Sequence, residues 1–174
     1  MTDRPPGMVT AANLALGVAA AAMTTDAVIG LRYARAVTDV FQRAYAEVPD
    51  TRFSIVSIIT TSVILLVAAA GMLLLAYLNH RGRPAARIHT WILGAVVLCW
   101  GASSLNRDRG VPESVPDPAA FEAMLAAALP GWVEPVTTVT SMVTTAAVLA
   151  AILFLATPAA GQHFRPAPTV SFPD

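Results

Sequence analysis

Apolar residues in this chain come in long unbroken runs, not in the short alternations of a half-buried sheet. Four runs stand out: Met8 to Leu31, Ser54 to Leu78, Ile88 to Leu105 and Pro135 to Thr157. At about 1.5 Å per residue the second reaches roughly 37 Å, enough to cross a bilayer core of about 30 Å with some tilt. The third is the shortest, and its Trp91 and Trp100 are expected near opposite interfaces, where indole rings are favoured. The pattern predicts an all-α protein, an integral membrane four-helix bundle with spans at 8–31, 54–78, 88–105 and 135–157. The first run could serve as a secretory leader, but "MTDRPPG" offers one arginine offset by Asp3, and the apolar run outlasts a signal core. An uncleaved span is expected.

Between the runs the period changes. In "VTDVFQRAYAEV", Val37, Val40, Phe41, Ala44, Tyr45 and Val48 recur at three- and four-residue steps, with Asp39, Gln42, Arg43 and Glu47 opposite. In "AAFEAMLAAALPGW", Phe121, Met124, Leu125, Ala128, Leu129 and Trp132 do the same. Short amphipathic helices are therefore expected in both extracytoplasmic loops. They could lie on the membrane surface, fold over the bundle as a cap, or dock a partner. Residues 158–174 hold Pro158, Pro166, Pro168 and Pro173 with no periodic face, and are expected to form a disordered cytoplasmic tail.

Composition agrees with the membrane class. The chain is 56% hydrophobic and 13% charged, whereas a soluble domain carries about 25% charged residues. Every one of its eleven cations is an arginine, and three of them, Arg81, Arg83 and Arg87, fall in the stretch "NHRGRPAARIH" between the second and third runs. Gly82 and Pro84 make that stretch a turn. A short loop rich in arginine and free of acids marks the cytoplasmic side, where guanidinium groups also meet lipid headgroups. With an even number of spans, both termini are then cytoplasmic. Arg32, Arg35, Arg43, Arg52, Arg107 and Arg109 lie in the other two loops, but these are longer and shared with acids.

The order of an amphipathic stretch, an apolar span, "HRGRPAARIHTWILGAV" and a further span resembles small uncharacterised four-span membrane proteins of actinobacteria, over residues 33–104. Arg81, Gly82, Arg83, Ala86 and Arg87 match the turn that joins the middle spans in those proteins, and Ala85 stands where they usually carry an aromatic residue. The resemblance implies a multi-pass protein of the bacterial cell membrane. It implies no activity.

Candidate chemistry is sparse. No HExxH, GxSxG, phosphate loop or paired intramembrane carboxylates occur, so no enzyme activity and no cofactor are expected. His80, His89 and His163 lack ligand spacing, and no metal site is expected. Cys99 is the only cysteine and cannot form an internal disulfide. No basic face with interleaved aromatics suggests nucleic acid.

One acid, Asp26 in "MTTDAVIG", lies near the outer end of an apolar run; it either reaches interfacial water or serves a function. Hydroxyls gather at the same expected depth: Thr24 and Thr25 in the first run, Ser54, Ser57, Thr60, Thr61 and Ser62 in the second, and Thr137, Thr138, Thr140, Ser141, Thr144 and Thr145 in the fourth. They serve either as helix-to-helix glue, the simpler reading, or as an outward-facing pocket built from Thr25, Asp26, Ser57, Thr61, Ser141 and Thr144. The ridge Asn13, Gly17, Ala21, Thr25 is suited to close helix contact, within the bundle, with another membrane protein or with a second copy. The function expected first is a non-catalytic accessory or scaffold component of a cell-envelope complex. The alternative is a small transporter or a ligand- or lipid-binding protein that uses the pocket around Asp26.

Overall fold

A computed structural model describes residues 7–44, 55–105 and 117–164, and every regular element among them is an α-helix. In chain order these are α1 (Gly7–Ala44), α2 (Ile55–His80), α3 (Pro84–Leu105), α4 (Pro118–Ala128), α5 (Val133–Ala156) and α6 (Pro158–His163). Three are long and apolar enough to cross a membrane: α1, α2 from Ile58 onward, and α5. The 22 residues of α3 make a rod of about 33 Å. Trp91 and Trp100 stand nine positions apart on it, about 13 Å, which is too close to reach opposite interfaces.

α1 packs along α2 on one side and α5 on the other, and α3 completes the bundle by resting on α2 and α5. Leu16, Ala19, Ala20 and Met23 of α1 meet Ala69, Met72 and Leu75 of α2 and Val148 and Ala151 of α5 in the core. Missing side chains set the close approaches. A Cβ on Gly94 of α3 would sit 2.7 Å from Ile152 Cδ1 and 3.2 Å from Val148 Cγ1, and a Cβ on Gly30 of α1 would sit 2.8 Å from Ser62 Oγ. The ridge Asn13, Gly17, Ala21, Thr25 is not the contact face that the sequence suggested. Ala21 and Thr25 are exposed, and a Cβ on Gly17 would meet nothing within 4 Å. The contact face of α1 runs instead through Ala12, Ala19, Ala20 and Ala27.

Two elements differ from their expected form. The first amphipathic stretch is not a separate loop helix: α1 continues without a break to Ala44, 38 residues or about 57 Å. No proline or further glycine after Gly30 interrupts it, so nothing stops the helix where its composition turns polar. α4 packs on this extension. Val40 and Phe121 are buried together with Phe41, Met124 and Leu125 around them, and the Phe41 and Phe121 rings meet edge-to-face at 5.2 Å. Asp117 caps α4 by accepting a bond from the Ala120 amide at 3.0 Å, with Pro118 in the first turn.

The second difference is at the other end. The tail expected to be disordered begins with a helical turn, α6, capped by the Thr157 hydroxyl on the Ala160 amide. Phe164 follows it into a cluster with Val9, Ala12, Leu155 and Ala160. The seven-residue stretch 158–164 is thus part of the fold, and 165–174 lie outside the described residues.

α6 docks beside the arginine turn. Gly82 has φ of 69°, the left-handed conformation glycine adopts without strain. Its amide donates to the Asn79 carbonyl at 3.0 Å and the Arg83 amide to the Leu78 carbonyl at 3.3 Å, the paired bonds of a Schellman cap that closes α2. Inside the turn, Asn79 is fully buried and its Nδ2 donates to Thr90 Oγ1 at 3.0 Å, clasping α2 to α3.

Candidate functional site: a cavity between four helices

On the Trp100 side of the contact that Gly94 makes with α5, the helices part and enclose a cavity of about 510 Å³. Met23 and Asp26 of α1 line it, with Leu65, Ala68 and Gly71 of α2, Leu93 and Val97 of α3, and Ser141, Thr144 and Thr145 of α5. Ile64, Val67, Val96 and Trp100 line it too and are also exposed, so they frame its mouth between α2 and α3.

The cavity has two chemical walls. Those on α2 and α3 are apolar; α1 and α5 contribute a polar strip. Asp26 is half-buried, and its Oδ1 accepts a hydrogen bond from Thr140 Oγ1 of α5. The Thr140 hydroxyl also lies 2.9 Å from the Val136 carbonyl and 3.1 Å from that of Thr137. It holds a single proton, so the bond to Asp26 is shared with its own helix. One turn along, Thr145 donates to the Ser141 carbonyl at 3.0 Å. Thr144 is only 8% exposed, and its Oγ1 has no hydrogen-bond partner among the described residues. Buried hydroxyls are normally paired, and this one belongs to a cavity-lining residue.

Of the six residues expected to form a pocket, Asp26, Ser141 and Thr144 share this wall. Thr25 is exposed on another face of α1 and donates to the Ala21 carbonyl at 3.0 Å. Thr61 is exposed and lies outside the lining. The side chain of Ser57 lies outside the described residues. Thr140, the residue that reaches Asp26, belongs to the same hydroxyl-rich run of α5, but its partner on α1 was not legible from spacing within one helix.

The arginines divide as well. Arg81 and Arg83 are exposed, with Arg81 over the Tyr77 ring at 4.6 Å. Arg87 is partly buried: its guanidinium lies 5.0 Å from the Trp91 ring centre and 6.0 Å from that of Phe164. Among the described residues, no group of three His, Cys, Asp or Glu side chains is placed to hold a metal ion.

Among the described residues, the fold and the site define an all-helical architecture with three membrane-length apolar helices and a cavity open to one side. No family model, curated protein or solved structure matches it.

Proposed function

We propose that this is a four-span protein of a bacterial cell membrane, with both termini cytoplasmic, that binds a ligand in its interhelical cavity. The observation that carries the reading is the meeting of Asp26 with Ser141 and the unpartnered Thr144 hydroxyl on one cavity wall. Membrane insertion is supported by the distribution of polarity. Leu14, Val67, Leu73, Ile92, Val96 and Leu153 are each more than half exposed, while Ser62, Asn79, Thr90 and Thr144 are buried. In water such an apolar exterior would aggregate; in lipid it is solvated, and the buried polar groups hold helices together. α3 serves as the fourth span.

The test is occupancy. An apolar fluorescent dye whose emission rises on leaving water is titrated into the purified protein in neutral detergent. Ala68→Phe fills the cavity from α2, and Leu73→Phe adds the same ring on the exposed face of that helix. Dye binding should fall about tenfold or more in Ala68→Phe, by loss of a buried apolar contact area, and stay unchanged in Leu73→Phe. Equal binding by all three proteins rejects the cavity reading.

A second reading, a scaffold component of an envelope complex, draws on the packed extension of α1 and α4. Arg32, Arg35, Asp39, Gln42 and Arg43 are exposed along that extension, a polar face for another protein. Its test is purification from the native host in mild detergent, where this reading requires a stoichiometric partner that is lost on charge reversal at Arg35 and Arg43.

A further inference from the structure

We infer that the cavity selects lipophilic cations: apolar, aryl- or alkyl-bearing molecules with an ammonium group that pairs with Asp26. This rests on the cavity reading and goes beyond it by naming the ligand's charge.

Three observations lead there. The first is an unmatched carboxyl group. A carboxylate offers about four acceptor positions, and Asp26 receives one shared hydroxyl, from Thr140. Among the described residues, no Arg, Lys or His lines the cavity. The nearest arginine along α1, Arg32, is six positions outward and exposed. A ligand that carries a cation would supply the partner this carboxyl group lacks among the described residues, where a carboxylate in an apolar surround is costly alone.

The second is the composition of the remaining wall. Leucine, valine, isoleucine and alanine side chains from α2 and α3 face the polar strip across a volume of about 510 Å³, a size typical of small-molecule sites. A hydrated metal ion would leave those surfaces without contacts, whereas a molecule with an apolar body covers them. Trp100 adds an aromatic face at the mouth, a favourable neighbour for an ammonium group in passage.

The third is the position of the mouth. It lies between α2 and α3 and is framed by exposed apolar side chains. A ligand approaching through it comes from the lipid and must be soluble there. Anions are opposed by Asp26, and hydrophilic cations do not partition to that entrance.

The experiment uses a matched pair of dyes in the purified full-length protein in neutral detergent: one dansyl fluorophore carrying a trimethylammonium group, and the same fluorophore carrying a neutral tert-butyl group of equal shape. Wild type should bind the cationic dye about tenfold or more tightly than the neutral one, the scale of a contact to a charged group. Asp26→Asn should erase that preference, bringing the ratio of the two affinities close to one. Ala68→Phe should weaken both dyes together. If wild type binds the two dyes equally, or Asp26→Asn keeps the preference, charge selection is wrong while the cavity stands. If neither dye binds wild type, the cavity reading fails and this inference with it.

Discussion

At the scale of single residues, Gly82 shows how one position serves two contacts. Its left-handed backbone closes α2, and the space where a Cβ would stand is occupied on the far side by α6: a Cβ there would lie 3.2 Å from the His163 carbonyl oxygen and 3.3 Å from His163 Nε2. Gly82→Ala should therefore cost about 1 kcal/mol for the backbone conformation and also loosen α6. The expected outcome is a lowered melting temperature with faster proteolysis after residue 157. Gly82→Asn separates the two effects, since asparagine tolerates the left-handed region. It should recover most of the melting temperature and keep the faster proteolysis. An Asn variant as protease-resistant as wild type would mean that His163 does not press on the turn.

At the scale of elements, the cavity exists because α3 is held close at one level and not at the next. Gly94→Ile would drive a branched side chain into Ile152 and Val148 and move α3 off α5, a misfit that typically costs about 1–3 kcal/mol. The expected outcome is a melting temperature lower by several degrees and weaker binding of any cavity ligand; an unchanged melting temperature would show that α3 is not seated at Gly94. Element ends and faces were unequally legible from sequence. Over its described residues each of the four apolar runs lies in a helix, save the capping Thr157, because length and hydrophobicity report the same physics. The end of α1 was not legible, since a change from lipid-like to amphipathic composition resembles a boundary although no breaking residue stands there. α6 carried a readable signal, Thr157 followed by Pro158, a cap and a first-turn proline, which the surrounding prolines obscured. For the site, grouping hydroxyls by depth collected Asp26, Ser141 and Thr144, which line one cavity. It also collected Thr25 and Thr61, because depth says nothing about which way around the helix a residue points.

At the scale of the whole molecule, the proposed orientation rests on the arginine turn. In a Cys99→Ser background, cysteines at Ala85, Gln42 and Ala126, all exposed positions, report the two sides of the membrane. In intact cells a membrane-impermeant thiol reagent should label Gln42→Cys and Ala126→Cys and spare Ala85→Cys until the membrane is opened. The opposite pattern would invert the protein. The unbroken course of α1 has a consequence for the cavity. One continuous helix carries both Asp26 in the cavity wall and, about 21 Å beyond Gly30 at its Ala44 end, the surface on which α4 packs. The wall around Asp26 and the seat of α4 are therefore two stations on a single element, with no break in the helix between them.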